Sequence, residues 1–168
     1  IQSEQVQKEF LPSPDLRGIK VLVVDDNESS RMIFRTMLES FSFIVEETDS
    51  GSSALKLLQE ADPQFKLVLL DWKMPGMDGI KTFKNLKNLH LEEMPKVILA
   101  TAFGREEVMK QSEQLGFNGF LIKPVTPSIL FNVIMNAFGK SLKISSQLPI
   151  YNKIDMEQLK PIHGARIL

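Results

Sequence analysis

Between Ile19 and Lys140 two patterns alternate, and that alternation constrains the fold more than any other feature of the chain. Short apolar runs stand at IKVLVV (19–24), FIVEE (43–47), FKLVLL (65–70), KVILA (96–100) and GFLI (119–122). Segments of helical length lie between them. In ESSRMIFRTMLESF, Ile33, Met37 and Phe41 recur every four residues with Phe34 and Leu38 beside them, which predicts one apolar helix face. TPSILFNVIMNAFG offers Thr126 as N-cap, Pro127 at the first helical position and Gly139 as a stop. Its apolar side is Leu130, Val133, Ile134, Ala137 and Phe138. Five strand–helix alternations predict an α/β fold with a doubly wound parallel sheet covered on both faces. The runs at 19–24, 65–70 and 96–100 are almost continuously apolar, as central strands are. The second run carries Glu46 and Glu47 and suits an edge.

Composition narrows the functions. At 168 residues the chain has room for one well-filled domain plus tails. A net charge of -1 gives no global field towards nucleic acid or an anionic membrane. The chain contains no cysteine, which excludes a disulfide scaffold, a thiolate metal site and a Cys nucleophile. It also fits a reducing compartment, and a cytoplasmic location is the expectation, with a membrane anchor on a parent chain left open. No apolar run approaches the roughly 18 residues needed to span a bilayer. The opening IQSEQVQKEF does not read as a signal peptide, and the start on Ile predicts excision from a longer protein. Residues 1–17 read as a linker, 18–140 as the domain and 141–161 as a second linker, with at most a helical turn around DMEQL.

The stretch KLVLLDWKMPGMDG, residues 66–79, carries the chemistry. A strongly apolar strand ends on one carboxylate, Asp71, and passes at once into a turn rich in Pro and Gly. Ligands of open parallel sheets bind at the carboxyl ends of the strands, near the point where strand order reverses. The first strand ends in Asp25 and Asp26, the third in Asp71, the fourth in Thr101 and the fifth in Lys123. Residues far apart in sequence would therefore meet on one edge. Neighbouring carboxylates repel by about 4 kcal/mol per pair at about 4 Å and an effective dielectric of about 20. Compensating cations are required: Lys123 supplies one charge and a hard divalent ion two. Oxygen ligands without His or Cys suit Mg²⁺, which also takes phosphoryl oxygens. In that setting Asp71 is a nucleophile able to become an aspartyl phosphate. A metal on Asp25 and Asp26, the Lys123 ammonium and the Thr101 hydroxyl would neutralise the phosphoryl oxygens.

VLVVDDN, LVLLDWKMPGMDG, ILATA and GFLIKPV, in that order and spacing, resemble the motifs of two-component receiver domains, the phospho-accepting domains of response regulators and hybrid histidine kinases. The resemblance covers about residues 19–139. It implies a flavodoxin-like (βα)5 fold, with Asp71 as phosphoacceptor and Asp25 and Asp26 as the acidic pair. It further implies the backbone carbonyl of Lys73 as a metal ligand and Thr101 and Lys123 as phosphoryl contacts. Lys123-Pro124 resembles the family's cis peptide, and Phe120 stands at the place of its switch aromatic, paired with Thr101. The implied partner is a phosphohistidine donor, either a histidine kinase or a phosphotransfer domain. Lys73 and Phe103, two residues after Asp71 and Thr101, occupy positions that bear on phosphoryl lifetime.

Plainer readings exist for each residue. Asp25 and Asp26 alone could cap a helix, Thr101 could be a cap, Lys123 a solvated charge and Phe120 a core aromatic. Met74 and Met77 read as loop packing, Gly51 and the nearby serines as a helix start, and GREEVMKQSEQ as a solvated face. Neither His90 nor His163 resembles a phosphodonor. The alternative function is an interaction module that is not phosphorylated, against which complete retention of the five site residues argues. A flavodoxin-like cofactor binder would need a phosphate cradle where DDNESS stands. A haloacid-dehalogenase-like phosphatase would need a second Asp where Lys73 or Asn27 stands. No DNA-binding element follows the domain, so direct contact with nucleic acid is not expected, nor membrane contact; the oligomeric state is left open. IHGARIL (162–168) repeats the pattern of LRGIKVL (16–22), which predicts the start of a second receiver in a hybrid sensor histidine kinase with tandem receivers.

Overall fold

In a computed structural model, residues 12–102 and 106–139 are described. The β-branched and leucine-rich runs form β1 (Lys20–Val24), β2 (Ile44–Thr48), β3 (Leu67–Asp71), β4 (Lys96–Thr101) and β5 (Gly119–Ile122). All pair in parallel in the order β2-β1-β3-β4-β5. The three runs read as central are central, and the Glu-bearing run lies at an edge. Strand order reverses between β1 and β3, so the crevice at their carboxyl ends is where a ligand fits. The third strand begins two residues later than its apolar run. Phe65 packs into the core from the preceding loop, and Asp71 becomes the last strand residue, opposite Ala100.

Among the described residues five helices cover the sheet: α1 (Glu28–Ser40), α2 (Gly51–Glu60), α3 (Gly79–Lys87), α4 (Glu106–Leu115) and α5 (Pro127–Ala137). Side chains that accept a backbone N–H start four of them: Asn27 from Ser30, Ser50 from Ser53, Asp78 from Lys81 and Thr126 from Ile129. Gly139, at φ +72°, adopts the left-handed backbone that follows the end of α5 at little cost for a glycine.

Alternating strand side chains feed two separate cores, as the period of two requires. Val21, Val23, Leu67, Leu69 and Ile98 pack with α1 and α5, whose Phe41 and Phe131 meet edge to face at 5.2 Å between ring centroids. Leu22, Val24, Val68, Leu70 and Val97 pack on the other face with α2 and α3, where Phe83 stacks on Phe117. Leu16, from the leading segment, also enters the first core. One sequence expectation needs correcting. Ile33 is 57% exposed and is not part of the buried face of α1, which is Phe34, Met37 and Leu38, followed by Phe41. A helix turns about 100° per residue, so Ile33 lies one step around from Phe34 and clears the sheet.

Candidate functional site

β1 delivers Asp25 to the edge of the sheet with all its polar groups engaged. Its N–H donates to the Thr48 carbonyl at 3.1 Å, which continues the β1–β2 ladder by one residue. Its Oδ1 accepts the Asn27 N–H at 2.9 Å, and its Oδ2 accepts the Lys123 ammonium at 2.7 Å. The cap of α1 is Asn27, so the acidic pair is not used for capping. Asp26 is exposed, whereas Asp25 and Asp71 are buried at 2% and 7% exposure.

Asp71 arrives from β3, and its Oδ1 accepts the same Lys123 ammonium at 2.9 Å. The loop after it folds back tightly. Trp72 N–H donates to Ala100 O at 3.0 Å, and Gly79 N–H donates to Trp72 O at 2.8 Å. A Cβ on Gly79 would stand 2.4 Å from the Asp71 carbonyl oxygen, so only glycine permits that approach. Met74 is buried and anchors the loop in the second core, while the sulfur of Met77 accepts the Asn85 amide at 3.5 Å. Lys73 sits in this loop with its ammonium 4.4 Å from the centre of the Trp72 ring.

Thr101 ends β4, buried at 1% exposure, and its carbonyl accepts the Lys123 N–H at 2.8 Å. The Lys123-Pro124 peptide is cis, as is Asp62-Pro63. Phe120 lies half-buried on β5 opposite Leu99. Phe103 lies outside the described residues.

Asp25, Asp26 and Asp71 each offer an oxygen within 4.8 Å of the others'. One ammonium thus faces three carboxylates. Burial pushes the Asp71 carboxyl above its ordinary range; the Lys123 hydrogen bond pulls it back, and the charges of Asp25 and Asp26 add to the rise. Burial works against the Lys123 charge too, but its bonds to Asp25 and Asp71 outweigh it and hold the ammonium more firmly protonated than usual. The balance left over is negative, and the donors are all oxygen. That donor set fits a hard divalent cation.

Sequence reasoning missed one group here. Arg31, on the first turn of α1, donates through Nη1 to the Asp25 carbonyl at 2.8 Å and through Nε to Glu47 Oε1 at 2.9 Å. Its only sequence signal was a basic residue six positions after the first acid, too common to single out.

Residues 21–135 match the family model described as the response regulator receiver domain. This chain belongs to that family. Among curated proteins, the receiver is 36% identical over 116 residues to the chemotaxis protein CheY-3 of Vibrio cholerae, covering 68% of this chain and 87% of that protein. It is 32% identical over 124 residues to CheY of Pseudomonas aeruginosa, covering 73% of this chain and 98% of that one. Among solved structures, V. cholerae CheY4 superposes with a TM-score of 0.66 at 27% identity, covering 71% of this chain and 98% of that chain. The CheX–CheY–BeF3–magnesium complex of Borrelia burgdorferi gives 0.69 at 25%, covering 79% and 98%. The protein is a receiver of two-component signalling with the flavodoxin-like fold. No helix among its described residues is long and apolar enough to cross a membrane.

Proposed function

We propose that this receiver accepts a phosphoryl group on Asp71 from a phosphohistidine of a histidine kinase or phosphotransfer domain. A carboxylate oxygen of Asp71 attacks phosphorus, the bond from phosphorus to the imidazole nitrogen breaks, and the imidazole leaves with the electron pair. Hydrolysis of the acyl phosphate by water returns the carboxylate and releases inorganic phosphate. The observation that carries this reading is the Lys123 ammonium, shared between Asp25 and Asp71 at the carboxyl edge of the sheet. It is positioned to neutralise phosphoryl oxygens as charge redistributes in transfer. Asp25, Asp26, Asp71 and the Lys73 carbonyl would hold Mg²⁺, which supplies positive charge against the phosphoryl oxygens when bound. Thr101 contributes its hydroxyl to the phosphoryl group, and Phe120 moves with it as the conformational switch. Incubation with acetyl phosphate and Mg²⁺ should add one hydroxylamine-sensitive phosphoryl group by intact mass. Equal labelling of Asp71→Asn would sink the assignment.

We also propose that the receiver spans residues 18–140 between linkers at 1–17 and 141–161 and lies in the cytoplasm, in a hybrid sensor histidine kinase that is either cytoplasmic throughout or membrane-anchored. Residues 162–168 would open a second receiver. They lie outside the described residues, so the support is the sequence repeat alone. A parent gene whose sequence after Leu168 lacks an acidic pair would remove the tandem arrangement.

A further inference from the structure

We propose that Arg31 is a positioning residue for the acidic pair, acting through the peptide that joins Asp25 to Asp26. The inference rests on the reading of Asp25, Asp26 and Asp71 as a divalent-cation site. The six atoms of a peptide unit lie close to one plane. The Asp25 carbonyl and the Cα of Asp26 share such a plane, so whatever fixes the carbonyl's direction fixes where Asp26 starts. Arg31 Nη1 holds that carbonyl at 2.8 Å. The guanidinium is itself braced, because Nε is bonded to Glu47 Oε1 at 2.9 Å and the side chain is only 16% exposed. Glu47 stands on β2, whose Thr48 carbonyl takes the Asp25 N–H. The preceding peptide is thereby held by the sheet and the following one by α1.

Asp26 needs this more than its neighbours do. Lys123 orients the Asp25 and Asp71 carboxylates directly. Among the described residues no hydrogen bond or ion pair orients the exposed carboxylate of Asp26, and its place in the cluster depends on its backbone. Arg35 provides a natural contrast. It bonds the other oxygen of Glu47 at 2.6 Å and Glu39 at 3.0 Å, and its guanidinium does not bond the acidic turn. Arg31 and Arg35 thus share one structural role, tying α1 to β2, and only Arg31 reaches Asp25.

A guanidinium acting merely as a nearby charge would repel a cation, so its removal would tighten binding. Loss of positioning weakens it, so the two readings differ in sign. The test is the Mg²⁺ dissociation constant of the unphosphorylated protein, read from Trp72 emission, beside the thermal midpoint in metal-free buffer. Arg31→Met should raise the constant roughly tenfold, the scale of groups that orient metal ligands, while Arg35→Met stays within about twofold. Both should lower the midpoint by similar amounts. Arg31→Lys keeps the charge but not the two-pronged geometry, and should also weaken binding if Arg31→Met does not fold. Unchanged or tighter binding in the folded Arg31 variants would overturn the proposal, as would equal weakening by Arg35→Met, which would assign the effect to the α1–β2 tie. Absence of any Mg²⁺ response in the wild type would instead remove the cation-site reading on which the proposal stands.

Discussion

The two ends of the sheet handle charge in opposite ways. At the amino end β1 and β4 begin with Lys20 and Lys96, and Lys66 immediately precedes β3. Lys20 reaches the Pro63 carbonyl at 3.1 Å and Glu46 at 3.4 Å and lies over the Phe65 ring, while Lys66 meets Glu93 at 2.6 Å. Each of those two cations has an anionic partner and access to water. At the carboxyl end the same strands finish in Asp25, Asp71 and Thr101, and one ammonium bonds the two buried members of a cluster of three carboxylates. Compensation at the base makes it a passive foundation. The deficit at the top is electrostatic strain that a cation would relieve, as the proposed metal and phosphoryl site requires.

The comparison can be broken by substitution. Lys123→Met removes the ammonium bonded to the Asp25 and Asp71 carboxylates and should destabilise the metal-free domain by about 3–5 kcal/mol, as breaking a buried pair does. Urea unfolding measures it, and added Mg²⁺ should recover part of the loss; a cost below that of an exposed pair would mean the top is not strained.

Asp71→Asn should act in the other direction, stabilising the metal-free protein by about 1–3 kcal/mol, because it removes one of three crowded charges. The pH dependence follows with the same sign. The folded Asp71 carboxyl sits above its unfolded range, so the folded state binds the proton more readily. Stability is therefore lost as pH rises from the unfolded value of about 3.9 through the raised folded one, and stays lower above it. Across that window the thermal midpoint of wild type should fall relative to that of Asp71→Asn, in which the carboxyls with lowered pKa, such as Glu47, still titrate; parallel curves would contradict the charge argument.

Asp26→Ala sharpens the metal side of the comparison. Losing one oxygen ligand should weaken Mg²⁺ by about tenfold, or about 1.4 kcal/mol, and Trp72 emission, next to the site in sequence, reports it. Superimposable titrations would place the ion elsewhere. The smallest effect belongs at the base. Glu46→Gln deletes an exposed partner of Lys20 and should change stability by less than about 0.5 kcal/mol. A shift comparable to that of Asp71→Asn would erase the contrast between the two ends.

Much of this was legible before folding. The runs at 19–24, 65–70 and 96–100 announce central strands because a strand covered on both faces has no polar side to show. Glu46 and Glu47 announce an edge for the same reason. Thr126 and Pro127 announce the start of α5 through local hydrogen bonding and a preset φ. The acids and the lysine at strand ends were visible too, since a parallel sheet brings all its carboxyl ends to one edge. Ile33 was misassigned because an every-four-residues pattern tolerates neighbouring apolar positions, and only the seating of α1 on the sheet selects which of them is covered.

Sequence alone determined the elements, their parallel arrangement and the chemical inventory of one edge, because the periods that encode these are local. Tertiary structure decided which of those groups touch. Lys123 joins Asp25 across 98 residues and Asp71 across 52, and Arg31 reaches past its own helix to the Asp25 carbonyl while leaning on β2. Such contacts depend on strand order and on how each helix is seated, which pair residues through space and leave no periodic trace along the chain.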